Sequence, residues 1–432
     1  MHRSGWCGLL PFVLASCSSG SGELTDPGAG SDSGAASGSE SGSSSGAGTV
    51  GGSRAGSTSS SGASGSGGPS SGADASSSGG GSSSGSGSGS GAGSSSGPSV
   101  ADDGGAPTVC AFASGVNVAW VSFGADVPNP NIPAFQQLFQ NTAAAGGRVV
   151  RWWFHTNASK TPTYNANGMA QPLTAQNVAD VKKILDAAHA AGVGVDVSLW
   201  SFDMLKSGPI ANNMALLTQD ANRQAYIDNV LTPLVTALKD YPGLHSWETF
   251  NEPEGMTTQY GWTTTKIDES AVQKTVNWFA AAIHAADPAA LVTTGAWQFR
   301  ANSPASGMTN RYSDAALTAA GGKANGTLDF YEVHYYAANG SAVSPFMFPY
   351  THWALDKKTA IGEFYALAQD GVAAADTYTA LWSGGYSGGW AWQYEADDGT
   401  NGSNNGQTTK WPTMQVPMQN LLKAHPEIVD CR

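Results

Sequence analysis

Two glutamates about 110 residues apart carry the strongest chemical signal in this sequence. Glu252 lies in Ser246-Trp247-Glu248-Thr249-Phe250-Asn251-Glu252-Pro253-Glu254, where polar and aromatic residues alternate as in a half-buried strand until Pro253 removes a backbone donor. The strand must stop just past Glu252, leaving a carboxyl group at its C-terminal end. Glu363 follows the short apolar run Thr359-Ala360-Ile361-Gly362 in the same manner. Two glutamates facing one cleft suit glycosidic bond hydrolysis. In its retaining form one carboxylate attacks the anomeric carbon while an opposing acid about 5–5.5 Å away protonates the departing oxygen. Like charges that close cannot both ionise cheaply, so one proton is kept. That proton is assigned to Glu252 as acid/base, with Glu363 as the ionised nucleophile. Arg151, in Arg148-Val149-Val150-Arg151-Trp152-Trp153-Phe154, is the cation placed beside Glu363; a barrel-layer cap or a surface ion pair is its alternative role. Glu248 lies too deep in its strand for the acid role, and Glu254 follows the break at Pro253.

Short apolar runs alternating with amphipathic helical stretches would position these residues. The expected strands are 115–123, 148–154, 193–200, the stretch ending at Glu252, 291–296, 328–336, 359–363 and 388–394. Between them, 132–145 is expected as a helix, and Thr174 can cap another whose Val178, Val181, Ile184, Leu185 and Ala188 share one face before Gly192 stops it. An insertion containing Met204 and Met214 precedes a helix over 224–240, in which Pro233 predicts a kink. Asp268 opens a further helix with Val272, Val276, Phe279 and Ile283 inward, and a last one covers 414–424. Eight strands with helical material between most of them predict an α/β fold, a single (β/α)8 TIM barrel with its site at the strands' C-terminal ends.

Composition sets the remaining bounds. Of the 432 residues, 18–106 are almost entirely Ser, Gly and Ala without an aromatic side chain. Such a segment buries too little apolar surface to offset its ordering entropy and reads as a disordered linker spanning roughly 50 Å. The catalytic domain is then 107–432, large enough for one barrel core. Two of the 20 basic and seven of the 33 acidic residues precede Pro107, leaving a net charge of −8 on that domain. No basic cluster occurs, which argues against a nucleic-acid partner and suits a neutral substrate. Residues 1–17 combine His2 and Arg3 with an apolar run from Trp6 to Ala15, too short to span a bilayer. Their end, Leu14-Ala15-Ser16-Cys17, resembles a bacterial lipoprotein signal with Cys17 as the lipidated residue, an ordinary secretory leader being the alternative. Either implies export, and the first implies a membrane anchor in the cell envelope. Cys110 and Cys431 remain, one at each end of the domain; in an oxidising compartment they could form a disulfide worth about 5 kcal/mol in the loop-entropy picture, or stay free thiols.

From Gly115 to Trp392 the sequence resembles glycoside hydrolase family 5, within the clan of retaining barrel glycosidases. Asn251-Glu252-Pro253 on the fourth strand and Gly362-Glu363-Phe364 on the seventh match the family's acid/base and nucleophile. The resemblance implies that Arg151 holds the nucleophile charged. Asn251 would then bond the sugar's 2-hydroxyl, His334 line the site, and Tyr336, two residues on and therefore on the same strand face, orient the nucleophile. It also implies that Trp392 stacks against the central sugar. Trp120, Trp200 and Trp297, with Trp153, lie at or near strand ends and could serve as further stacking platforms; Trp390 could be core. Many cellulases of the family carry a histidine after strand three, where this chain reads Leu199-Trp200-Ser201-Phe202, with His155 as a possible substitute. That departure and the Trp-rich cleft point to mannan, hence an endo-β-1,4-mannanase, with an endo-β-1,4-glucanase next. A glycan-capturing lipoprotein without catalysis is the reading from another class. The chemistry needs no cofactor or metal. Glu395–Gly406 offers oxygen ligands but lacks a calcium loop's bidentate glutamate and spacing, so it reads as a solvated turn. A monomer is expected, acting on a polysaccharide.

Overall fold

The computed structural model describes residues 111–394 and 411–429. Cys17, the linker 18–106, Cys110, Cys431 and the Glu395–Gly406 loop lie outside the described residues.

Eight strands close into a parallel barrel in sequence order. They are β1 (Ala113–Ala119), β2 (Val149–Thr156), β3 (Gly194–Ser201), β4 (Leu244–Asn251), β5 (Val292–Ala296), β6 (Tyr331–His334), β7 (Thr359–Glu363) and β8 (Gly388–Ala391), with β8 pairing back onto β1. The TIM barrel predicted from the strand and helix pattern is thus the fold observed. The outward faces of the strands are apolar and buried, as Val116, Val118, Val150, Trp152, Val195, Val197 and Trp247 illustrate. Inside, Val149, Ala360 and Trp390 form a small apolar cluster separate from the main core, so Trp390 is packing. Polar residues follow: the pairing of β1 to β4 sets Asn117, Arg151, Asp196 and Ser246 side by side, all buried. A barrel interior is ordinarily layered with Val, Ile and Leu. Here charged residues fill it, and for that reason β4 is buried along Ser246–Asn251 rather than half-exposed.

The helices follow the local signals. α1 (Ile132–Ala144) buries Phe135, Leu138, Phe139 and Thr142 at helical spacing, each large apolar side chain contributing roughly 1.5–3 kcal/mol. α2 (Ala175–Ala191) begins at a reciprocal Thr174/Asn177 capping box and ends at Gly192 with φ 74°. The insertion after β3 is itself helical, a 3₁₀ turn Phe202–Leu205 and α3 (Ile210–Thr218). α4 (Asp220–Tyr226) runs through a π segment Ile227–Leu231 into α5 (Thr232–Leu238). The π segment lies just before Pro233, whose missing N–H breaks the α pattern. α6 (Glu269–Ala286) turns Val272, Val276, Phe279 and Ile283 inward, as expected. α7 (Asp314–Gly321) precedes β6, only 3₁₀ turns connect β6 to β7 among the described residues, and α8 (Thr377–Ser383) precedes β8. α9 (Trp411–Ala424) and α10 (Pro426–Val429) complete the described chain. No described helix is long and apolar enough to cross a membrane.

Candidate active site

Arg151 is the centre of the barrel's polar interior. Its Nε and Nη2 donate to both oxygens of Glu248 at 2.7 Å, and a second Nη2 bond reaches Asn251 Oδ1 at 2.8 Å. Nη1 donates to Asn117 Oδ1 at 2.9 Å and to Glu363 Oε1 at 2.6 Å. Burial opposes the guanidinium's charge, but Glu248, Glu332 and Glu363 outweigh it and hold the group firmly protonated. Asn117 is fixed in turn by amide bonds to Gly362 O at 2.7 Å and Trp390 O at 2.9 Å.

Above this layer, β4, β6 and β7 bring four groups to the mouth. Tyr336 Oη donates to Glu363 Oε2 at 2.6 Å, so Glu363 receives a phenol on one oxygen and a guanidinium on the other. Across from it, His334 Nδ1 lies 2.9 Å from Glu252 Oε1 and 3.5 Å from Glu363 Oε2. A Glu252 oxygen and a Glu363 oxygen come within 4.8 Å of each other. Burial, then the charges of Glu363 and Glu254, push the Glu252 carboxyl well above the ordinary range. Burial also raises Glu363, opposed by Arg151 and Tyr336, so the acidic proton belongs to Glu252. Glu252 has φ 43°, ψ 55°, a left-handed conformation that costs a side-chain-bearing residue about 1–3 kcal/mol. Its N–H is held by Gly295 O at 2.7 Å, and Pro253 starts a 3₁₀ turn directly after it.

Residues 111–395 match the cellulase family, glycosyl hydrolase family 5. The chain belongs to glycoside hydrolase family 5. It is 32% identical over 311 residues to a mannan endo-1,4-beta-mannosidase of Cryptopygus antarcticus, covering 66% of this chain and 81% of that one. It is also 32% identical over 305 residues to the enzyme of the same name from Mytilus edulis, covering 65% and 83%. Among solved structures, the endo-1,4-beta-mannanase of Eisenia fetida aligns with TM-score 0.65 and 32% identity over 72% of this chain and 90% of that one. As a member of family 5 the protein is a glycoside hydrolase.

On this family 5 barrel the aromatic side chains divide into two walls. Trp120 packs edge-on to Trp153 (5.1 Å) and Trp392 (6.1 Å), on the side where Arg151 lies 5.4 Å from the Trp153 ring. The opposite wall joins Trp297 to Tyr260 (5.8 Å) and Trp262 (5.6 Å), with Phe202 against Trp262. Trp120, Trp392 and Trp297 are partly accessible. Trp200 is not: it is 0% exposed, wedged between His155 and Tyr226 on the helix-facing side, which removes it as a stacking platform. Strict alternation from Asp196 would turn Trp200 inward; its side chain faces the helices instead because the β2/β3 register shifts between Trp153 and Thr156, breaking the alternation just before Trp200. His155 is likewise structural, bonded to Thr161 Oγ1 and pushed by burial down to about 3, so it does not stand in for a cellulase histidine.

Sequence reasoning missed the roles of four acids. Glu248 is the bidentate partner of Arg151. Glu254 accepts Tyr312 Oη at 2.6 Å and the Trp297 N–H at 3.0 Å, anchoring the second wall. Glu332 and Asp196 are fully buried beside Arg151, and two-residue spacing from His334 and from Ser198 was their only signal. Among the described residues, Glu248–Glu332–His334 and Glu252–His334–Glu363 gather metal-type ligand atoms. Arg151 already chelates Glu248, and with Tyr336 it engages Glu363, whereas the Glu332 carboxyl and His334 Nε2 have no hydrogen-bond partner among the described residues.

Proposed function

We propose that this protein is an endo-β-1,4-mannanase that cleaves with retention of anomeric configuration. Glu363 attacks the anomeric carbon, kept ionised by Arg151 and aimed by Tyr336. Glu252 gives its proton to the departing oxygen and then takes one from the water that releases the glycosyl-enzyme. The single observation carrying this reading is the approach of the two carboxyls to within 4.8 Å, below the roughly 6.5–9.5 Å that an inverting enzyme needs to seat its water. Asn251 holds its Nδ2 only by a 3.3 Å bond to Ser201 Oγ, weak enough to be exchanged for the sugar 2-hydroxyl. His334 lines the acid, Trp392 and Trp120 offer one aromatic wall to the sugar, and Trp297 the other. Mannan as substrate is supported by the relatives' activity and by their similarity along most of their length.

Reducing-sugar release from galactomannan, glucomannan and cellulose tests the reading. Wild type should act on the mannans, with Glu252→Gln and Glu363→Ala nearly inactive. Preferential release from cellulose would make it a glucanase, and no release from any of them would favour glycan capture. The Leu14-Ala15-Ser16-Cys17 sequence supports export with lipid on Cys17. Expression with labelled palmitate should label wild type and not Cys17→Ser; equal labelling would refute it. One chain supplies the whole constellation, so a monomer suffices.

A further inference from the structure

Beneath the mouth lies a carboxyl group that this reaction does not use. Glu332, on β6, is 0% exposed, and the wiring of Arg151 leaves it without a donor. A guanidinium has five N–H groups. Two go to Glu248, one to Asn251, one to Asn117 and one to Glu363. Glu332 Oε1 lies 2.9 Å from Nε, yet that N–H is directed to Glu248 Oε2, and neither Glu332 oxygen accepts a hydrogen bond from a described group. The groups facing Glu332 are Arg151 on β2, Asp196 on β3, Glu248 on β4, Glu363 on β7 and His334 on its own strand. Glu248 and Glu363 already exceed the single charge of Arg151, so a third anion here would be buried and uncompensated, which is strongly unfavourable.

The second observation is the imidazole. Burial, with Arg151 nearby, keeps His334 neutral, so it carries one ring N–H. Nδ1 faces Glu252 Oε1 at 2.9 Å, and Nε2 faces Glu332 Oε1 at 3.7 Å without another partner. If Nδ1 were the acceptor it would draw the proton of Glu252 away from the glycosidic oxygen. With Nδ1–H donating to Oε1, that proton stays on Oε2, and Nε2 becomes an acceptor aimed at Glu332. An O–H matches that lone pair; a carboxylate opposes it. Bare backbone makes room for the arrangement: a Cβ at Gly295 would strike Glu248 Oε1 and sit 2.9 Å from His334 Nε2, and one at Gly362 would strike Glu332 Oε1.

We infer that Glu332 is a neutral carboxylic acid whose O–H faces His334 Nε2, fixing the Nδ1–H tautomer that holds the acid proton of Glu252 toward the substrate. It is a positioning residue, and the 3.7 Å gap is of the kind that tightens when substrate fills a site. Burial first, then the charge of Glu248, push its carboxyl well above the ordinary range against the pull of Arg151.

The assignment rests on Glu252 as the acid, but its readouts need no substrate. Infrared difference spectra of the full protein, wild type minus Glu332→Gln at neutral pH, should show a carboxylic-acid C=O band that the variant lacks. ¹⁵N-histidine NMR, with His334→Gln for assignment, should show His334 protonated on Nδ1. Glu332→Gln, whose amide can donate in the same place, should fold and keep kcat/KM on mannan within about threefold, while Glu332→Leu should lower kcat about ten- to a hundredfold. No acid band, an Nε2–H tautomer, or a Glu332→Gln protein that fails to fold would overturn the inference, the last because it would mean that Arg151 requires an anion there. Absence of mannan hydrolysis by wild type with the band and tautomer intact would overturn the proposed function instead.

Discussion

Two pairs of glutamates surround one arginine, and the pairs differ only in what donates to them. Glu248 and Glu363 receive three of the five Arg151 N–H groups, and Glu363 adds the phenol of Tyr336. Glu252 and Glu332 receive none from Arg151 and are set against the two sides of one imidazole. In a dry barrel interior the donor supply, more than the residue type, decides which carboxyl carries charge and which keeps a proton. The same side chain therefore serves as nucleophile at the mouth of β7 and as proton carrier at the end of β4. The layer below repeats that division without touching substrate.

Removing members of each pair should break the comparison in graded steps. Glu363→Ala takes away the attacking group and should lower mannan hydrolysis by about four orders of magnitude or more in steady-state assays, the scale of losing a covalent nucleophile. Glu252→Gln should cost about 10²–10⁴-fold, with less loss on substrates whose leaving group needs no protonation. Arg151→Met strands Glu248 and Glu363 in the interior, and thermal or urea unfolding should show a loss of about 3–5 kcal/mol along with abolished activity. Tyr336→Phe removes a bond that lowers Glu363. The acid limb of the kcat/KM profile, where Glu363 takes up its proton, should then move to higher pH by about one unit, while the basic limb set by Glu252 stays.

The smallest effect on turnover should come from Asp196→Asn, which sharpens the comparison through stability. Burial and then Glu248 push Asp196 up to about 8. The folded chain keeps that proton where the unfolded chain releases it, so stability is full below the ordinary carboxyl range. It should fall by at most about 1.4 kcal/mol per pH unit as pH rises toward 8, then level off. Glu252 and Glu332 add slopes of the same sign. Unfolding midpoints measured from pH 4 to 9 should show a flatter decline in Asp196→Asn than in wild type.

The barrel was legible because alternation and capping are local. Thr174 and Gly192 bound their helix, Pro253 ended β4, and the inward residues of α6 fell at the expected spacing. Strand limits were read too long at β6 and β8 because apolar and aromatic composition continues past the last ladder bond, as at Tyr335 and Tyr336 after His334. At the site, Glu252, Glu363, Arg151, His334 and Tyr336 were named from strand-end position and motif, and they converge. Glu332, Asp196 and the true role of Glu248 were not legible, since a buried acid is unexpected until its cation, Arg151, is known to share the barrel interior from 45 (Asp196), 97 (Glu248) and 181 (Glu332) residues away in sequence. Trp200 was misread for the complementary reason. Its strand-end position and its parity with Asp196 both suggested the mouth, while the register shift beside it turns it outward to Tyr226.

Proton NMR of the first seconds of mannooligosaccharide hydrolysis tests the central claim most directly. A nucleophilic Glu363 within 4.8 Å of the acid predicts that the newly formed reducing end appears as the β-anomer and converts to the α-anomer only by mutarotation. An α-anomer formed first would contradict the account.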